Sequence, residues 1–217
     1  DNTAYVSCSM SGKVLKVNMA TKTVDMEITA GTGTTGITMA DGKIYATNSG
    51  FNPDYSYSPG TVTVINGATG AVVTTIDVEL NPQAAATDPD GLVHVVCTGD
   101  WWSTFGKVAV INPATDTVVE TVMTAGTPGS IAISENDGIA YLGVWGAGLL
   151  SYNWETYAMV NDTSDYFWGF GGSGVTCDTE GHVFISIWDD DQVLKLGADE
   201  TVIATYDVGD SPSSLAE

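Results

Sequence analysis

The chain has 217 residues, 43% of them hydrophobic, which is enough for a substantial core. No apolar run approaches the roughly 18 residues needed to cross a membrane. Its 27 acidic residues face six lysines and no arginine, for a net charge of −21, so nucleic acid, whose binding needs cations to displace counterions, is not an expected partner, and neither is membrane insertion.

In chain order, "DNTAYVS" (1–7) reads as a strand, and "VNMATKTVDMEI" from Val17 as a hairpin: an apolar strand, a polar turn and a β-branched strand. "GITMADGKIYATNS" (36–49) is a second hairpin, turning at Asp41-Gly42, where glycine supplies the positive φ of a tight turn. After the loop "SGFNPDYSYSPG" (49–60) comes "INGATGAVVTTI" from Ile65, a hairpin of the first kind. The alternation then continues. "AAATDPDGLVHVVC" (84–97) and "TGDWWSTFG" (98–106) lead to "INPATDTVVETV" from Ile111. "SIAISENDGIAYLG" (130–143) leads to "YNWETYAMVNDT" from Tyr152, and "GVTCDTEGHVFISI" (174–187) to the weaker "LGADETVIATYD" from Leu196.

The five hairpins of the first kind start 48, 46, 41 and 44 residues apart. Two alternating hairpins make four antiparallel strands per repeat, and four-stranded units at this period indicate a β-propeller. No stretch shows a sustained helical period with caps. The C-terminal "SPSSLAE" matches "TPGSIAI" (127–133), and "DNTAYVS" continues the match. The expected fold is therefore all-β: a single-domain, five-bladed propeller of four-stranded antiparallel blades, closed by pairing of its N- and C-terminal strands. The blades are expected near 213–217 with 1–30, then 35–80, 83–125, 129–164 and 172–209.

The rhythm of 108–142, strongest over 107–145, resembles the YVTN β-propeller repeat of surface-layer and other extracytoplasmic proteins. The resemblance implies a propeller, export and an adhesive or surface-coat role. It brings no catalytic motif. The acidity fits the same extracellular or cell-surface setting.

Catalytic and cofactor signals are thin. "GTGTTG" (31–36) and "GFGGSG" (169–174) match G-x-G-x-x-G, but each precedes a strand where a dinucleotide fold needs a helix, so they read as inter-blade loops. His94 takes the place of Tyr5, Tyr45, Tyr141 and Phe184 in the other blades, a core-facing position, while His182 follows a hairpin turn. Neither histidine has metal-motif spacing, and the chain is not expected to be an enzyme. No cofactor is expected, calcium at Asp189, Asp190 and Asp191 being the one candidate. Asn161-Asp162-Thr163 is an N-glycosylation sequon, meaningful only after export. Cys8, Cys97 and Cys177 fit no metal motif and read as buried free thiols.

The departures from the repeat carry the functional expectation. Loops after the second strand and loops between blades lie on one face of a propeller. Phe51, Tyr55, Tyr57, Trp101, Trp102, Phe105, Trp145, Tyr166, Phe167, Trp168 and Trp188 all fall in such loops. Aromatic patches of this kind mark interaction sites. The partner is expected to be a second copy of the chain, giving a surface coat or filament, or else a surface glycan or protein.

Overall fold

A computed structural model describes residues 2–146, 148–164, 172–197 and 199–216. β1 (Thr3–Cys8), β2 (Lys13–Asn18) and β3 (Thr23–Thr29) form a three-stranded sheet, with a 3-10 turn (Ser9–Ser11) joining β1 to β2. The second sheet holds β4 (Thr34–Ala40), β5 (Lys43–Asn48), β6 (Thr61–Asn66) and β7 (Val72–Asp77). The third holds β8 (Pro82–Thr87), β9 (Val93–Cys97), β10 (Lys107–Asn112) and β11 (Thr117–Met123). In the fourth are β12 (Pro128–Ser134), β13 (Ile139–Val144), β14 (Gly148–Asn153) and β15 (Met159–Asn161). The fifth consists of β16 (Gly172–Cys177), β17 (Val183–Ile187), β18 (Gln192–Leu196) and β19 (Val202–Asp207). Spatial order follows chain order in every sheet, so the chain is all-β and built of consecutive hairpins.

The repeated asparagine of the first hairpin kind has a local cause. The side-chain oxygen of Asn66 accepts the amides of Ala68 and Thr69 at 3.1 and 2.9 Å, and Asn18 accepts those of Ala20 and Thr21. Asn112 and Asn153 do the same for Ala114 and Thr156. An asparagine that bonds the main chain two or three residues on folds the turn by itself.

Contacts divide the chain into two compact units, Asp1–Thr104 with Val108–Thr121 and Phe105–Lys107 with Val122–Glu217. Within the first unit, the period-2 alternation of β5 splits its side chains between two cores. Ile44 and Ala46 pack with Val14 and Ile28 of the first sheet, whereas Tyr45 packs with Val93, Val95 and Ile111 of the third. Polar staples join the second and third sheets. Asp116, in the β10–β11 turn, accepts from Tyr45 Oη at 2.6 Å and from Lys43 Nζ at 2.8 Å, and Lys43 also reaches the Pro113 carbonyl. In the second unit a core runs between the fourth and fifth sheets, from Tyr141 and Leu149 to Ile185 and Leu194.

Successive first strands of these sheets touch through a recurring device. Thr35 Oγ1 contacts Thr47 Oγ1 and donates to the Pro82 carbonyl at 3.2 Å, while the Gly36 amide bonds Thr47 Oγ1. In the second unit Ser173 Oγ contacts Ser186 Oγ and donates to the Pro212 carbonyl at 2.7 Å, with the Gly174 amide on Ser186 Oγ. A Cβ on Gly36 would lie 2.7 Å from Ala84 Cα, and one on Gly174 2.8 Å from Ser214 Cα. Only glycine permits either approach.

The C-terminal segment therefore lies beside β16 as β8 lies beside β4. It differs from expectation in one respect: residues 212–216 form no strand, and the first sheet has three strands where four were expected. The contacts that hold the segment on β16 run from side chain to carbonyl or are van der Waals, and neither makes a ladder. Expectation also differs for the thiols. Of the three, only Cys97 is buried. Cys8 and Cys177 are half-buried, Cys177 at the margin of the core between the fourth and fifth sheets, so an apolar sequence context overstated their burial.

Candidate functional site

Two of the loops that interrupt the repeat build a cleft in the first unit. The β5–β6 loop continues its hairpin beyond the sheet. Ser58 N donates to the Gly50 carbonyl at 2.8 Å, Phe51 and Tyr57 form an isolated antiparallel bridge, and Asn52 N donates to the Ser56 carbonyl. Gly50 has φ +70°, and a Cβ there would meet the Ser58 carbonyl at 2.4 Å, so the hairpin closes only over glycine. At the tip, Asp54 Oδ1 accepts the amide and the hydroxyl of Ser56, which hold its carboxyl below the usual range. This geometry turns Tyr55 outward at φ +66°, 83% exposed. Phe51 lies between the two tyrosines, its ring centroid 6.0 Å from Tyr55 and 5.4 Å from Tyr57.

The β9–β10 loop is organised by one carboxylate. Asp100 Oδ1 accepts the amides of Trp102, Ser103 and Thr104 at 3.0, 2.8 and 2.7 Å, and its Oδ2 accepts the Ser103 hydroxyl at 2.6 Å. These four donors, the Ser103 hydroxyl foremost, hold the Asp100 carboxyl far below the ordinary carboxylate range. The base of the loop is fixed by Asn81, whose Nδ2 donates to the Gly99 carbonyl and whose own carbonyl accepts the Thr98 amide. Trp101 sits at φ +70°, an unusual region for a bulky side chain. Trp101 and Trp102 are both exposed, Trp102 at 88%.

Between these loops lies an open cleft of about 500 Å³, lined by Phe51, Tyr55, Ser56, Tyr57, Leu80, Asp100, Trp101 and Trp102. Five of the aromatic residues read from the sequence thus come together. Exposed side chains on loops pinned by their own hydrogen bonds lose little freedom when a ligand arrives. Asp100, the one charged side chain in the lining, has its carboxylate engaged with the loop. The cleft can stack and hydrogen-bond a neutral ligand, and Asp100 has no proton to give at neutral pH.

Sequence reasoning missed Leu80 and Asp100. Asp-x-x-Ser-Thr in "DWWST" is a recognisable turn signal for Asp100, but Leu80 enters from an inter-sheet loop with no signal of its own.

The remaining site expectations fall elsewhere. Phe105 is exposed but does not line the cleft. Trp145 and Trp188 belong to the second unit and pair edge to face, centroids 5.9 Å apart. Tyr166, Phe167 and Trp168 lie outside the described residues. Of the acidic triplet, Asp189 and Asp190 are exposed in the β17–β18 turn, and Asp191 accepts the Ser211 amide at 2.8 Å. The carboxylates of Asp189, Asp190 and Asp191 are not among the groups whose ligand atoms converge. The Asn161 amide is taken up by the Glu200 carboxylate. His94 is fully buried against Asp88, 2.9 Å away, as its strand position implied.

Among the described residues one group of three side chains could offer a metal its ligand atoms: Asp178, Glu180 and His182. Here Asp178 already accepts the His182 and Glu180 amides and meets His182 Nδ1 at 2.8 Å, with Lys195 Nζ at 3.7 Å. The lysine supplies the positive charge that a cation would bring.

No family model matches the chain, and no curated protein does. Solved structures match it widely, 1249 chains in all, and a fold so common fixes no chemistry. One is a chain of Kuenenia stuttgartiensis hydrazine synthase, with a TM-score of 0.66 and 14% identity over 98% of this chain and 85% of that one. At that identity the likeness concerns the fold alone, and it supports a β-propeller-like all-β architecture.

Proposed function

We propose that the protein is a non-enzymatic, extracellular five-bladed propeller that binds neutral carbohydrate in the Phe51–Trp102 cleft. The observation that carries the reading is a contrast of charge. On a chain of net charge −21, five aromatic side chains converge around a single carboxylate that four donors from its own loop already satisfy. Aromatic faces stack on sugar rings, and the Tyr and Ser hydroxyls beside them can bond ring hydroxyls. Anionic ligands are repelled by the surrounding surface. Propeller closure is supported by the C-terminal segment, which rests on β16 as a following first strand would.

The test is a glycan screen followed by calorimetry on Trp101→Ala and Trp102→Ala. Each substitution should weaken binding about 2- to 10-fold, the value of one aromatic contact. Silence across neutral glycans, or affinity indifferent to both changes, rejects the reading.

A second reading, self-association into a coat or filament, is favoured by a separate observation. The edge strands β7, β11 and β19 expose the pairs Val72-Val73, Val118-Val119 and Val202-Ile203. Apolar sheet edges with no lysine on them invite pairing with another chain. Light scattering and electron microscopy at varied salt and calcium test this, and a monomer under all conditions rejects it.

A further inference from the structure

We infer that the aromatic cleft is one half of a longer groove, and that its ligand is a linear neutral oligosaccharide rather than a single sugar. The inference rests on the carbohydrate reading above and extends it to chain length. A second open cleft, of about 530 Å³, lies in the same unit against the other side of the same loop, and Phe51 lines both. Its walls are the Ser9–Ser11 turn, residues 31–33 and the start of the β5–β6 loop at 51–53. Each cleft alone is on the scale that holds a drug-sized molecule, roughly 300–1,000 Å³. Two of them sharing a wall exceed what a monosaccharide can fill.

The chemistry of the second cleft matches the first in kind. None of its lining residues is charged. Exposed hydroxyls of Ser9, Thr29 and Thr32 supply hydrogen-bonding groups. Met10, fully exposed at the 3-10 turn, offers an adaptable apolar surface opposite the rigid ring of Phe51. The floor is glycine, and it has to be. A Cβ on Gly33 would lie 2.2 Å from Ser49 Oγ, and one on Gly31 2.6 Å from the Asn48 side chain. Main-chain bonds from Gly50 to the Thr32 carbonyl and from Ser49 to the Gly33 carbonyl tie this floor to the aromatic loop. The two halves are therefore held in fixed relation within one unit. A sugar chain stacked on Trp101 and Trp102 would pass over Phe51 and continue toward Met10.

The experiment is calorimetry of the intact protein with cello-, xylo- and manno-oligosaccharides, from disaccharide to hexasaccharide. Affinity in the responding series should rise by about tenfold or more as the chain grows long enough to cross Phe51. Met10→Ala and Thr32→Arg, both at exposed positions, should remove most of that gain while leaving disaccharide affinity unchanged. Trp102→Ala should weaken short and long chains alike. If short sugars bind through Trp101 and Trp102 but added length gains nothing, or if long chains ignore both Met10→Ala and Thr32→Arg, the groove is refuted and the cleft stands. If no member of any series binds, both fall.

Discussion

Asp116 should act as a stability hub, because one carboxylate serves two side chains of the neighbouring sheet. Replacing it with alanine strands the Tyr45 hydroxyl, which belongs to a fully buried residue and has Asp116 Oδ1 as its acceptor at 2.6 Å. An orphaned buried hydroxyl costs about 1–3 kcal/mol. Lys43 loses its ion pair but keeps the Pro113 carbonyl, and a pair this close to solvent contributes only about 0.5–1 kcal/mol. Asp116→Ala should therefore destabilise by about 3 kcal/mol, lowering the melting temperature of a domain this size by about 6–12 °C. Tyr45→Phe removes the hydroxyl and leaves Asp116 paired with Lys43, at a cost of about 1 kcal/mol. The double variant has no orphan, so it should be more stable than the sum of the single effects by about 1–2 kcal/mol. Urea melts followed by near-ultraviolet circular dichroism measure all four proteins. Additivity within about 0.5 kcal/mol would refute the shared-carboxylate account.

Three further outcomes are expected. The folded Asp100 carboxyl titrates below its unfolded value of about 3.9, so its stabilisation is complete above that pH and is lost as pH falls through the folded value. Below about pH 4 the stability of the native chain should decline more steeply than that of Asp100→Asn, and parallel pH profiles would show that the loop does not depend on the charge. Gly174→Ala should loosen the C-terminal segment, because its Cβ would sit 2.8 Å from Ser214 Cα; faster carboxypeptidase trimming is the readout, and trimming at the native rate would count against the docking. A thiol reagent should modify Cys8 and Cys177 in the folded protein and Cys97 only in denaturant, the contrary order being a reactive Cys97.

Much of this was legible because the repeat is written in turn residues. Asn66 and Asn112 announce their hairpins by the bonds their side chains make to the next amides, and Asp41-Gly42 announces another, so the strands of the middle blades fall where the pattern puts them. The aromatic loops stood out because they break that pattern, and Phe51, Tyr55, Tyr57, Trp101 and Trp102 do meet. What could not be read is whatever depends on main chain from distant segments. Leu80 lines the cleft, and the 31–33 floor borders its neighbour, through carbonyls that accept Gly99, Gly50 and Ser49 amides, and a carbonyl has no letter in the sequence. The acidic triplet has a bond of the same hidden kind. Asp191 accepts the amide of Ser211, a main-chain donor 20 residues further on.

The hydroxyl-to-carbonyl contact of Thr35 on Pro82 and of Ser173 on Pro212 has a consequence for how such a chain can change over generations. The giving side asks for a threonine or serine beside a glycine, while the receiving side asks for nothing except a peptide bond. A duplicated segment placed after any donor finds a compatible acceptor at once, whatever its own letters. Each copy is then free to diverge, and the number of copies can grow or shrink without the junctions having to be reinvented.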